Sequence, residues 1–130
     1  MTAKRIPLRH LFVYGTLRPG DVRWHILEPF VNGEGSPDSV SGELFDTGRD
    51  YPAAVFGKAG KIHGRTYELQ VASLERCLTV LDNVEGTVAG MYRRVSITTG
   101  HGLTAWSYAY GEGLSLTPIP SGDWLAHRQP

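Results

Sequence analysis

The sequence predicts an α+β domain built on a curled mixed sheet. Sixteen glycines and eight prolines cut the chain into short segments, which favours strands and turns over a helical bundle. Five segments beyond the first apolar run read as strands bounded by Gly, Asp or Pro, and only one segment carries clear helical periodicity. At 130 residues the chain is long enough for a real core, because a domain near this size buries roughly two-thirds of its unfolded-chain surface. One domain over residues 1–130 is expected, with no linker, repeat or low-complexity tract.

The first element is the run HLFVYGTLRPG, residues 10–20, an apolar strand that breaks at Gly15. A phosphate-binding P-loop is excluded. Gly15 and Gly20 have the spacing of that motif, but Asp21 and Val22 stand where a lysine and a hydroxyl residue must neutralise phosphate and hold magnesium. Asp21 can cap a short helix running to about Glu28, where Pro29 discourages continuation. Strands are then expected over Ser41–Phe45, Ala53–Phe56, Ile62–Leu69, Met91–Thr98 and Thr104–Tyr110. Between them lies the clearest helix. Ser73 is placed as its N-cap, and Leu74, Cys77, Leu78 and Leu81 recur at i, i+3, i+4 and i+7 as its buried stripe.

Continuing that helical count puts Glu85 on the same apolar face, four residues after Leu81. Gly86 suits the left-handed position that ends a helix, so Glu85 is expected in the last turn. Burial and the negative end of the helix dipole both oppose its ionisation, so a pKa above the ordinary value of about 4.3 is expected. The alternative is a helix ending one turn earlier, with Glu85 turned to solvent. Asp82 falls on a different face and reads as a solvated acid. In the strand that follows, alternation sets Met91, Val95 and Ile97 on one face and Tyr92 with Arg94 on the other. Tyr92 and Arg94 either present a phenol and a guanidinium to one site or form an ordinary polar strand face.

Lys plus Arg and Asp plus Glu both number 13, so no general attraction to nucleic acid or an acidic membrane follows from net charge. No nucleic-acid or membrane partner is expected. The charged start Met1-Thr2-Ala3-Lys4-Arg5 is not followed by the apolar stretch of a secretory signal, and no span approaches transmembrane length, so a soluble cytoplasmic protein is expected. Cys77 is the sole cysteine and lies on the helical stripe, where it reads as a small core residue. The five histidines are scattered without metal-ligand spacing, so no metal is expected.

Three segments in order, FVYGTLRPG, LDNVEG followed by GMYRRV, and IPSGDW, resemble the γ-glutamyl cyclotransferase-like family, in its γ-glutamylamine cyclotransferase or AIG2-like branch. DYPAAV and IHGRTYEL are similar to the family's Y-P-A turn and G-x-x-Y strand, so the likeness spans about residues 10–125. The resemblance implies a small mixed β-barrel flanked by short helices, and no cofactor. It also implies that backbone amides of Tyr14, Gly15, Thr16 and Leu17 hold the carboxylate end of a γ-glutamyl substrate, that Glu85 transfers protons, and that Tyr92 contacts the substrate. Where many relatives carry Asn and often His after the glycine turn, this chain reads Asp21-Val22-Arg23-Trp24-His25, a departure that bears on substrate choice.

The reaction the resemblance implies is an internal aminolysis in which the α-amine of a γ-glutamyl group attacks its own γ-carbonyl, releasing 5-oxoproline and an amine. The substrate is then a γ-glutamyl amine or peptide. A second reading keeps the cavity without catalysis, as a binding protein for a γ-glutamyl or amino-acid metabolite. A third would turn Trp106, Tyr108 and Tyr110 toward a protein partner, but alternate aromatics on a strand more often line a core.

Overall fold

A computed structural model describes residues 8–15, 24–49, 51–85, 92–111, 113 and 115–128. Among the described residues six strands and three α-helices follow in chain order: β1 (His10–Val13), α1 (Trp24–Leu27), β2 (Val31–Asp46), β3 (Pro52–Leu69), α2 (Leu74–Val84), β4 (Tyr92–Thr98), β5 (Thr104–Tyr110), β6 (Thr117–Ile119) and α3 (Trp124–Arg128). The strands form one sheet in the order β4-β5-β1-β3-β2-β6, curled into a half-barrel. The sheet is mixed because β1 runs parallel to β5 and antiparallel to β3.

Side-chain alternation along β1 divides the interior in two. Leu11 and Val13 join a core with Tyr67, Leu69 and the α2 residues Leu74, Cys77 and Leu81. Phe12 and Tyr14 point the other way, to Val40, Leu44, Ile62 and Trp124. The strand is buried on both faces, as its unbroken apolar run requires. Gly64 lets β1 come this close, since a Cβ there would lie 2.2 Å from the Val13 carbonyl oxygen.

The β2–β3 hairpin is longer than the sequence suggests. The expected segments 53–56 and 62–69 are parts of one strand, and β2 begins ten residues before the expected Ser41. Register shifts explain the discrepancy: pairing skips between Asn32 and Ser36 on β2, and the partner of β2 jumps from Lys61 at Ser41 to Phe56 at Gly42. The glycines that read as strand ends are absorbed at these irregularities, which bend and twist a strand without ending it.

Curling brings the turn between β4 and β5 against β2. The Gly100 amide donates to the Ser39 carbonyl at 2.7 Å, and the His101 amide reaches the Asp38 carboxylate at 3.3 Å. Asp38 is buried and also accepts from the Ser39 amide and the Thr66 hydroxyl. Burial alone would raise its pKa, but hydrogen bonds from Thr99, Ser39 and Thr66, with the charge of His101, outweigh it and hold the carboxyl below its ordinary value.

The helices differ from expectation in detail. Pro29 lies inside a 3-10 turn, Glu28–Phe30, that continues α1, because at the first positions of a turn no amide is required. The expected cap Asp21 lies outside the described residues. Ser73 does occupy the N-cap of α2, but its hydroxyl makes no cap bond and contacts the Gln70 side chain at 3.4 Å. Leu74, Cys77 and Leu81 are buried and Leu78 partly so, as the stripe predicts. Strand β6 and helix α3 were not expected, since three and five residues are too short to show periodicity. Asp123 caps α3, accepting from the amides of Leu125 and Ala126 at 3.1 and 3.3 Å. No helix among the described residues is long and apolar enough to cross a membrane.

Three outcomes follow from this packing. Burial pushes the Cys77 thiol up to about 11, so only about one part in a thousand is thiolate at pH 8. A thiol reagent such as Ellman's should label Cys77 only after denaturant unfolds the chain; labelling at native rates typical of a free thiol would contradict its buried placement. The depressed carboxyl of Asp38 contributes stability in full above its unfolded pKa of about 3.9, and that contribution is lost as pH falls further, through the lower folded value. Thermal melts from pH 2.5 to 7 should therefore fall less steeply in acid for Asp38→Asn than for wild type. Asp38→Ala should cost about 1–3 kcal/mol at neutral pH, because it leaves buried donors without an acceptor.

Candidate active site

The cavity at the end of β1 brings together residues from four parts of the chain. Tyr14 and Gly15 follow β1, Tyr51 and Pro52 open β3, Tyr108 comes from β5, and Glu85 caps the C-terminus of α2. The enclosed space is about 30 Å³, room for a water or two. Helical periodicity places Glu85 here: its amide still donates to the Leu81 carbonyl at 2.9 Å, and its backbone keeps helical angles, φ −80° and ψ −5°. Glu85 is half-buried and lines the cavity, so the alternative in which the residue turns out to solvent is not the one adopted.

Gly15 is required by close packing rather than by an unusual backbone angle. A Cβ on Gly15 would lie 2.9 Å from both Cδ and Cγ of Pro52, whose ring forms the facing wall. Thr16 and Leu17, the other expected members of the turn, lie outside the described residues, as does Gly86.

Phenols line the cavity and back its wall. The Tyr14 hydroxyl donates to the main-chain carbonyl of Tyr108, and the Tyr92 hydroxyl donates to the Pro52 carbonyl at 2.7 Å. Tyr92 stands one layer behind the wall, edge-on to Tyr51 at 6.0 Å, and so fixes the Tyr51-Pro52 corner. Tyr14 is pushed well above the ordinary tyrosine pKa by burial first, then by the charge of Glu85 and by Tyr92, against a weaker opposing hydrogen bond with Ala54. Tyr108 is also raised, by burial, by its hydrogen bond to Asp82, and by the charges of Asp82 and Glu85, with Arg94 opposing. Both therefore remain neutral hydroxyls near neutral pH, able to donate one hydrogen bond each.

Asp82 differs from the sequence reading, and Arg94 and Tyr108 gain a shared partner that it did not supply. Asp82, expected as a solvated acid, accepts the Tyr108 hydroxyl at 2.7 Å and the Arg94 Nε at 2.9 Å. Its face of the helix meets β4 and β5, which periodicity within α2 does not reveal. Arg94 serves that pair and lies over the Trp106 ring at 4.3 Å. Tyr108 was legible only as part of an aromatic alternation; the signal for more is its cross-strand pairing with Arg94, which requires the strand register. Trp106, Tyr108 and Tyr110 all face the α2 core, as expected for a lining.

A carboxylate, a close-packed backbone turn and two neutral phenols thus meet at one small cavity, a set of groups able to form hydrogen bonds and exchange protons. The family model described as "Gamma-glutamyl cyclotransferase, AIG2-like" matches residues 11–126. The chain belongs to this family. The AIG2-like assignment agrees with the resemblance in the three sequence segments and with the observed half-barrel. Over 93 residues, 66% of this chain and 80% of the relative, the chain is 37% identical to "Putative gamma-glutamylcyclotransferase BH1612" of Halalkalibacterium halodurans. The crystal structure of the uncharacterized protein PH0828 from Pyrococcus horikoshii superposes with a TM-score of 0.70 at 28% identity, covering 92% of each chain. An AIG2-like protein of Mus musculus gives 0.64 at 21% identity, covering 89% of this chain and 88% of its own, a likeness of fold alone.

The tight contact at Gly15 carries a prediction. Gly15→Ala must displace either the end of β1 or the Pro52 ring, and should destabilise the protein by about 1–3 kcal/mol, as overpacking does. Urea unfolding monitored by tryptophan fluorescence checks this; an unchanged midpoint would mean that the turn has slack the packing does not show.

Proposed function

We propose that this AIG2-like protein is a γ-glutamyl cyclotransferase that acts on a γ-glutamyl amine or peptide and releases 5-oxoproline and a free amine. Family membership supports the reaction class, and the observation that carries the reading is Glu85 on the wall of the same cavity as the Tyr14-Gly15 turn. In this reading the backbone amides of the turn, continuing through Thr16 and Leu17, hold the substrate carboxylate. The γ-carbonyl is then presented to Glu85, and the rest of the substrate extends out of the small cavity.

The chemistry needs no second molecule. The α-amine nitrogen bonds to the γ-carbonyl carbon, a five-membered ring closes, and the bond from that carbon to the leaving nitrogen breaks. Glu85 takes the proton that the attacking nitrogen loses and returns one to the departing amine, so it begins and ends as a carboxylate. Holding the folded conformer supplies much of the acceleration, since well-oriented intramolecular reactions reach effective molarities of about 10⁵–10⁸ M. Neutral Tyr14 and Tyr108 suit this task as fixed walls, because their hydroxyl protons are held by the Tyr108 carbonyl and Asp82 and do not compete for the proton in transfer.

The test is 5-oxoproline release from a panel of γ-glutamyl dipeptides and γ-glutamyl alkylamines. Wild type should turn over at least one of them, and Glu85→Gln should lose about 10²- to 10⁴-fold in kcat, the usual contribution of general acid–base catalysis. Equal activity of the two would rule out the proton route. Thermal stabilisation by panel members with no 5-oxoproline formed would instead favour the binding protein.

A further inference from the structure

The side-chain cluster behind the cavity wall has a geometry that the reaction itself does not explain. Asp82 precedes Glu85 by three residues on α2, about one helical turn. Its carboxylate accepts the Tyr108 hydroxyl at 2.7 Å and two nitrogens of Arg94, Nε at 2.9 Å and Nη2 at 3.4 Å. Arg94 in turn lies flat enough over Trp106 to bring its guanidinium carbon 4.3 Å from the ring centroid, and the Trp106 indole donates to the Leu8 carbonyl at 3.0 Å. Asp82 and Arg94 are each only about a quarter exposed, at 28% and 26%. A two-pronged guanidinium–carboxylate pair of this kind has fixed geometry as well as charge.

This cluster sits where the helix most needs support. The last turn of a helix is its most loosely held part, and Glu85 is at that end. Asp82 ties the preceding turn to β4 through Arg94 and to β5 through Tyr108, whose ring lines the cavity. A phenol has one proton to donate, and Tyr108 directs it to Asp82, away from the reacting centre.

We infer that Asp82 and Arg94 are positioning residues for the proposed cyclotransferase, setting the orientation of Glu85 and Tyr108 without touching substrate; the inference rests on that reading. Misplacing a reacting group by about 1 Å costs on the order of a hundredfold in rate. Asp82→Asn and Arg94→Gln should each lower kcat by about ten- to a hundredfold on the best member of the panel, with KM and the melting temperature little changed. The double variant should be no slower than the slower single, because both substitutions dismantle one unit. Arg94→Lys keeps the charge but loses the two-pronged contact, and should recover only part of the rate.

Kinetics and thermal melts of the full chain, with Glu85→Gln as control, decide the matter. Singles that melt earlier but keep wild-type kcat, or losses that add in the double variant, would overturn the inference. If wild type turns over substrate and Glu85→Gln does not, while Asp82→Asn and Arg94→Gln are as fast as wild type, the inference fails and the cyclotransferase reading stands. If wild type turns over no panel member, both fall together.

Discussion

Strand β1 is buried on both faces, and the rest of the structure is arranged around that constraint. Three of its four residues, Leu11, Phe12 and Val13, supply side chains to two cores, while its backbone pairs with β3 on one side and β5 on the other. No polar substitution can be absorbed at Leu11, Phe12 or Val13 without stranding a polar group away from water. The turn at Tyr14 and Gly15 inherits this rigidity. Its position is set by the packing of the domain, and α2, docked on the same core through Leu74, Cys77 and Leu81, brings Glu85 to meet it.

The electrostatics of the cavity follow from its burial. Desolvation acts most strongly on groups that would have to gain charge, so the Tyr14 and Tyr108 phenols stay neutral beside a carboxylate that opposes their ionisation further. A second carboxylate, Asp82, is close by but is matched with Arg94. The two acids on one helix thus have different surroundings: one caps the helix at the cavity, and the other is tied into the sheet behind it.

What could be read from the chain depended on the range of the information needed. Helix α2 and the inward face of Glu85 follow from spacing within a dozen residues, and the burial of β1 follows from an uninterrupted apolar run. Gly57 and Gly60 read as strand ends because a bulge and a turn use the same residues; only the pairing partner distinguishes them. The Asp82–Arg94–Tyr108 cluster was invisible for a related reason. Its members lie on α2, β4 and β5, and local periodicity assigns each a face without saying which faces meet. Tyr51 and Pro52 entered only through the family's Y-P-A turn, since nothing in an isolated Tyr-Pro marks a cavity wall.

The parallel pairing of β1 with β5 also governs the order in which this molecule can assemble. The Ser107 hydroxyl that binds the Phe12 carbonyl is 95 residues away along the chain, and Tyr108 beside it provides both the acceptor for Tyr14 and a wall of the cavity. Contacts so distant in sequence are reached only after a large loss of chain entropy, so they form once more local pairings have shortened the effective loop. The β2–β3 hairpin and α2 can organise from neighbouring residues; the cavity cannot. A nascent chain therefore carries every residue up to Glu85 well before it has the cavity, and the cavity is complete only once β5 has been synthesised.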